Sequence, residues 1–295
     1  MEPMKTRLKA DLTLLLAAVI WGTAFAAQRV AAQVGSVFMF NGLRFLIGIL
    51  VLLPFARLRW NFSRRDWASV LLAGTLLAAG SALQQMGLQF TTAGNAGFIT
   101  SVYVVLVPLA LFVGWRERPH GLAWIAALMA LAGAFLLSTG GEFALRPGDA
   151  LELAGTLFWT LHVIVVGKFA SRVDPIRFAA GQLLVASALN LAAGMVFERS
   201  ISILQPAVFG GLIYVGVFSV GIAYTLQVVG QRHTPPSDAA LILSLEGVTA
   251  ALFGGWWLHE TLLPVQLAGC ALIFAAVFLA QAKEFRKPRK PDRSA

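Results

Sequence analysis

The 295-residue chain is 58% hydrophobic and only 13% charged, with a mean hydropathy of +0.76. A soluble domain is about half apolar and a quarter charged, so one water-soluble core is excluded and lipid is the expected solvent. The net charge of +9 would suit a nucleic-acid partner in a soluble protein. Here the charges fall in short clusters between apolar runs and read as topology signals, so no nucleic-acid partner is expected.

A helix needs about 20 apolar residues to cross the hydrocarbon core. Such runs lie near 11–30, 37–56, 67–88, 95–114, 121–139, 150–169, 176–196, 207–229, 239–257 and 265–282. They are continuous rather than alternating, which favours helices over a barrel. The connections are short and leave almost no chain for a soluble catalytic or ligand-binding domain.

Helix 1 follows Lys5, Arg7 and Lys9 and carries Trp21 and Thr23. Ala24-Phe25-Ala26 mimics a signal-peptidase site, although cleavage would cost a later helix its counterpart. Helix 2 holds Arg44 several residues inside its apolar run; it reads as a snorkelling or backbone-paired residue, or as an anchor for a substrate carboxylate. Helix 3 brings Gln84 and Gln85, and helix 4 brings Asn95, Ser101 and Tyr103. Ala126, Ala130 and Ala134 form a small-residue stripe on helix 5, matched by Ala268 and Ala276 on helix 10, as close packing in lipid requires.

Helix 6 carries Trp159 and, three residues on and nearly on the same face, His162. No second His stands at metal-ligand spacing, so no metal is expected, while protonation of His162 during transport stays open. Helix 8 carries Tyr214, Tyr224 and Gln227, and helix 9 carries Ser244 and Glu246. A carboxylate at that depth is costly. Glu246 is therefore either a protonated packing residue or a site for a coupled proton or a substrate amine. The lone Cys270 excludes an intrachain disulfide. From Lys283 the tail is basic and Pro-containing, and is expected to be disordered and to fix topology. Trp67, Trp115, Trp256 and Trp257 suit membrane interfaces, whereas Trp21 and Trp159 lie near mid-membrane.

With the N-terminus in the cytoplasm and ten crossings, 19 of the 23 Lys and Arg fall on the cytoplasmic side. Arg29, Arg146 and Arg199 fall outside, and Arg44 within helix 2. That bias predicts both termini inside. The chain also resembles itself. An offset of 138 pairs Trp21 with Trp159, Phe40 with Phe178 and Arg44 with Gln182. An offset of 143 pairs Thr91 with Thr234, Asn95 with Asp238, Ser101 with Ser244 and Glu117 with Glu260. Five helices per half is an odd number, so the halves are inverted, which is the logic of alternating access.

Several segments together resemble the EamA family of the drug/metabolite transporter superfamily. They are Ile20-Trp21-Gly22-Thr23-Ala24-Phe25, Gly42-Leu43-Arg44-Phe45-Leu46, Thr91 to Ile99, Glu246-Gly247-Val248 and His259-Glu260-Thr261-Leu262. The resemblance spans residues 11–282. It implies an all-α integral membrane fold of ten transmembrane helices in two inverted five-helix repeats, 11–139 and 150–282, flanked by a cytoplasmic segment 1–10 and a tail 283–295. It also implies a multi-pass protein of the bacterial inner membrane that exports small metabolites, amino acids or drug-like compounds, through a pathway lined by helices 1, 3, 4, 6, 8 and 9. The family often has Pro after the helix-9 Glu, whereas Gly247 follows Glu246 here, which puts a Pro-dependent kink in doubt.

No phosphate-binding Gly-Lys-Ser loop and no Ser/His/Asp set is present, so neither an ATP-driven pump nor a hydrolase is expected, and no cofactor. The partners expected are a small-molecule substrate and the bilayer, with proton coupling open and the oligomeric state undetermined. Two other readings stay open at this level: an uncoupled facilitator or exchanger, and an intramembrane enzyme using Glu246 or His162 as acid or base.

Overall fold

A computed structural model describes residues 2–33, 36–55, 62–91, 93–119, 121–139, 147–198, 205–257 and 262–286. Among these, all regular structure is helical. Seven spans are long and apolar enough to cross a membrane, and three shorter apolar helices (38–52, 121–137 and 264–280) complete ten. The chain is therefore an all-α integral membrane protein.

The first half comprises α1 (Glu2–Gln33), α2 (Phe38–Leu52), α3 (Arg64–Gly87), a fourth span split into α4 (Ala93–Ser101) and α5 (Tyr103–Trp115), and α6 (Gly121–Thr139). The second comprises α7 (Asp149–Phe169), α8 (Pro175–Phe197), an eighth span in three pieces, a ninth in two, and α13 (Pro264–Arg286). The eighth span is α9 (Pro206–Tyr214), a π-helical stretch (Val215–Ala223) and α10 (Tyr224–Gln231). The ninth is α11 (Pro236–Leu243) and α12 (Leu245–Trp257).

The packing is symmetric under exchange of the halves. The second span packs on its counterpart α8, and α6 on its counterpart α13. The contact of α3 with α7 is mirrored by that of the π stretch and α10 with α1, and the contact of α4 and α5 with α7 by that of α11 and α12 with α1. The same symmetry reaches single hydrogen bonds. Thr234 Oγ1 donates to Asp11 at 2.8 Å, and Thr91 Oγ1 donates to Asp149 at 2.6 Å. Asp11 and Asp149 are 138 apart and the two threonines 143 apart, which are the two repeat offsets. An odd number of spans per half places these matched bonds at opposite ends of the bundle.

The fourth and ninth spans interrupt at equivalent points. Ser101 ends α4 and Ser244 separates α11 from α12. Ser244 Oγ donates to the Leu241 carbonyl, and the Gly247 amide reaches the Ser244 carbonyl at 3.3 Å. The interruption before Glu246 thus forms without a proline, resolving the doubt raised by Gly247. Hydropathy averages over such breaks, so all three divided spans read as continuous in the sequence.

Polar side chains close the helix ends. Glu198, at the end of α8, accepts from the Val37, Phe38 and Met39 amides at 2.6–2.9 Å. That satisfies the free donors at the start of α2 with a carboxylate placed where the helix dipole favours one. Ser63 and Asp66 form a reciprocal capping box at the start of α3. Arg7 pairs with Asp11 and with Asp238, both at 2.9 Å, and Lys168 pairs with Glu117 at 2.5 Å. These pairs gather the starts of α1 and α11 and the ends of α5 and α7 at one end of the bundle. α1 itself begins at Glu2, nine residues before the apolar run.

The small-residue seam between α6 and α13 is present, with a shift in register. Ala126, Ala130, Ala134 and Ala276 are buried, but Ala268 is exposed and its neighbour Gly269 makes the contact. There the Gly133 and Gly269 carbonyls lie so close to the opposite helix that a Cβ on either glycine would meet the other's oxygen below 3 Å. Trp115 is exposed beneath the Lys168 ammonium, 5.0 Å from its ring, and Trp256 is exposed, as interface residues are. Trp67 is half-buried against Phe62, and the Trp257 side chain, the tail 287–295, and Arg146, Arg199 and Glu260 lie outside the described residues.

Candidate functional site: a polar cavity between the two halves

A cavity lies where the halves meet. It is walled by Trp21, Phe25 and Gln28 of α1, Arg44 of α2, Gln84 of α3, Thr100 of α4 and Tyr103 of α5. The second half supplies Trp159, His162 and Val163 of α7, Ser219 of the π stretch, Tyr224 and Gln227 of α10, Leu243 of α11 and Glu246 of α12. Six of the seven contributing spans are those implied by the family resemblance; the second span, through Arg44, is the addition.

Aromatic rings form its waist. Tyr224 packs against Trp21 at 4.9 Å and lies nearly parallel to Trp159 at 6.5 Å, while His162 meets both Tyr224 and Trp159 edge-on at 6.1 Å. The repeat-paired tryptophans Trp21 and Trp159 therefore flank one ring. Trp21 Nε1 donates to the Ser219 carbonyl at 2.9 Å. That carbonyl is reachable because the π stretch shifts backbone bonding by one residue, a device found frequently at functional sites.

Two ionisable groups of opposite type border this waist. Arg44 is 3% exposed, donates through Nη1 to Gln28 Oε1, and lies over the rings of Phe40 and Phe45 at 5.7 and 5.2 Å. Its Nε has no partner and it pairs with no carboxylate among the described residues. Glu246 is 5% exposed and receives one hydrogen bond, from the Tyr103 hydroxyl at 3.2 Å. It pairs with no cation among the described residues. The Tyr224 phenol stands within electrostatic reach of both Arg44 and Glu246. Trp159 Nε1 and Gln227 Oε1 are likewise buried at the wall without hydrogen-bond partners among the described residues. Buried polar atoms of this kind call for an explanation.

His162 is held from behind. Its Nε2 lies 2.9 Å from Gln182 Oε1 on α8, so Nε2–H donates to that amide oxygen. Gln182 is the repeat counterpart of Arg44 and supports His162 rather than facing the cavity itself.

Of the residues expected from the sequence, Trp21, Arg44, Gln84, Tyr103, Trp159, His162, Tyr224, Gln227 and Glu246 meet at this cavity. Thr23 and Tyr214 instead bond one another at 2.5 Å. Gln85 faces the α1 backbone, donating to the Gln28 carbonyl at 3.0 Å. Ser101 and Ser244 each bond a carbonyl of their own helix. Short hydroxyl side chains satisfy themselves locally in this way. The Asn95 side chain lies outside the described residues. Phe25, Gln28, Thr100, Val163, Ser219 and Leu243 also line the cavity and are not among the residues expected from the sequence. Gln28 carried a signal: it is two helical turns beyond Trp21 and so on the same face.

The EamA-like transporter family matches residues 8–139 and 146–281, one copy in each half. The chain belongs to that family. A relative from Archaeoglobus fulgidus, named an uncharacterized transporter, is 36% identical over 277 residues, covering 94% of this chain and 87% of its own. The uncharacterized inner membrane transporter YedA of Escherichia coli is 26% identical, covering 92% and 90%. The threonine/homoserine exporter RhtA of Escherichia coli is 25% identical, covering 94% and 92%. A solved crystal structure with 21% identity superposes with a TM-score of 0.78 over 94% of this chain and 99% of its own, so the two share the fold. The family is one of transporters, and this protein is accordingly a multi-pass membrane member of a transporter family with its polar cavity at the junction of two inverted repeats.

Proposed function

We propose that this protein is a secondary transporter of the bacterial inner membrane, with both termini in the cytoplasm, that exports small metabolites by alternating access, and that its solutes are zwitterions of the amino-acid type. The supporting observation is a pair of buried cavity-lining groups, Arg44 and Glu246, neither ion-paired among the described residues and both within electrostatic reach of Tyr224. A guanidinium presents a planar fork suited to a carboxylate. A carboxylate beside Trp21, Trp159 and Tyr224 suits an ammonium group. A solute bearing both charges supplies the missing partner to each, which offsets the cost of burying them. When the solute leaves, Glu246 is free to take up a proton instead, giving a route to coupling. The threonine/homoserine exporter among the relatives is compatible with this class.

A metabolite-export and toxic-analogue tolerance screen in cells overexpressing the protein tests the reading. Tolerance to amino-acid analogues should rise with the wild type and not with Glu246→Gln. Equal tolerance with both, unchanged across external pH, removes Glu246 from solute binding and from coupling.

A further inference from the structure

A second carboxyl group in the membrane-embedded part has no role in the cavity. Glu152 sits on the first turn of α7, 1% exposed, and neither carboxyl oxygen has a hydrogen-bond partner among the described residues. Its carboxyl is pressed onto α3, where a Cβ on Gly87 would lie 2.7 Å from Oε1. The absent side chain at Gly87 is what leaves room for it.

Among the described residues no cation pairs with Glu152. On its own helix, Asp149 lies within electrostatic reach and adds negative charge. From α3, Gly87 meets the Glu152 carboxyl, and one turn earlier the neutral Gln84 lies against Gly155. In the segment after α3, Thr91 is committed to Asp149. Arg29 of α1 turns to the Leu88 carbonyl. Among the described side chains of α4 and α5, the polar groups that line the cavity beside α7 are Thr100 and Tyr103, neither of them basic. α10 and α11 meet α7 at its other half, where Gln231 bonds the Val163 carbonyl, so Arg232 and Asp238 lie at the far end of the bundle. His162 is ten residues further along α7, about 15 Å at 1.5 Å per residue.

An ionised carboxylate in such a place leaves a charge uncompensated in a medium that solvates it poorly. A proton is the one counter-ion that removes the charge without needing a set of further oxygen ligands. We propose that Glu152 is a proton-binding site, separate from Glu246 and set between the cavity and the end of the bundle at which α7 begins. The proton is taken up from water at that end, the carboxylate becoming a neutral carboxylic acid, and is returned by the reverse step. Glu152 lies about 10 Å along α7 from the cavity residue Trp159, on the seam that α7 shares with α3. Trp159 packs over Gly80 and Gly155 over Gly80 and Gln84 on that seam. Use of this proton in coupling rests on the proposed transport function; its binding does not.

Infrared spectra of the purified full-length protein in lipid, recorded at neutral pH without solute, test the site. Subtracting the Glu152→Gln spectrum from the wild type should leave a carbonyl band of a protonated carboxylic acid. Glu246→Gln should retain that band. Glu152→Asp, which keeps the carboxyl in a shorter arm, should shift it and provides the readout if the Gln variant does not fold. No band in the subtraction, or a band unmoved by Glu152→Asp, overturns the proposal. Because no solute is present, either result stands apart from whether the chain transports amino-acid zwitterions.

Discussion

Gly22 is where the packing of α1 most directly controls the geometry of Glu246. A Cβ added there would stand 2.5 Å from the Glu246 carbonyl oxygen, 2.5 Å from Thr249 Cβ and 2.8 Å from the Ala250 amide nitrogen. Two of the three are backbone atoms of α12, so no side-chain rotation relieves the clash. Restoring an ordinary separation of about 3.5 Å moves α12 away from α1 by about 1 Å. Overpacking of this sort costs about 1–3 kcal/mol. Replacing Gly by Ala in a helix returns up to about 1 kcal/mol. Gly22→Ala should therefore lose up to about 2 kcal/mol, read as earlier thermal unfolding in detergent. Its transport should fall further than stability alone explains, because Glu246 moves with α12. Gly210→Ala is the control: nothing lies within 4 Å of its Cβ position, so it should unfold no earlier than the wild type. Equal behaviour of the two variants would refute the reasoning.

Three further outcomes are expected. Trp21→Phe removes the donor that holds the Ser219 carbonyl, and should cost about 0.5–1.5 kcal/mol in thermal unfolding while lowering transport. Thr91→Val and Thr234→Val each delete one of the two matched Thr–Asp hydrogen bonds at opposite ends of the bundle. They should destabilise by similar amounts, about 0.5–1.5 kcal/mol each, and a large disparity in unfolding temperature would contradict their equivalence. Arg44→Lys keeps the charge but loses the planar fork and its fit over Phe40 and Phe45. Counterflow kinetics should give a higher KM for a carboxylate-bearing solute with Lys, and a greater loss with Arg44→Gln. Equal kinetics in all three proteins would remove Arg44 from solute recognition.

The spans were legible because hydrocarbon demands about 20 apolar residues whatever their order. The inverted halves were legible because repeated residues keep their duties. Trp21 and Trp159 flank the same ring, and Ser101 and Ser244 mark the two equivalent breaks. What hydropathy cannot carry is facing. Thr23, Ser101, Tyr214 and Ser244 lie at suitable depth, but each finds a partner nearby, whereas Gln28 and Thr100 at similar depth point inward. The π stretch in the eighth span shifts the helical register by a residue, so a 3.6-residue wheel drawn across it misplaces Ser219. Likewise the seam of α13 runs through Gly269 rather than Ala268, a one-residue difference that only the contact with Gly133 decides.

The central claim is that two inverted repeats enclose a cavity that carries a zwitterion from one side of the bilayer to the other. Counterflow of radiolabelled threonine, as a representative zwitterion, into liposomes containing only the purified protein tests it most directly. Saturable uptake that depends on unlabelled amino acid inside, and that falls at least tenfold in both Arg44→Gln and Glu246→Gln, is the result expected. Uptake no greater than in protein-free liposomes for threonine and a panel of other amino acids, or uptake indifferent to both substitutions, would contradict it.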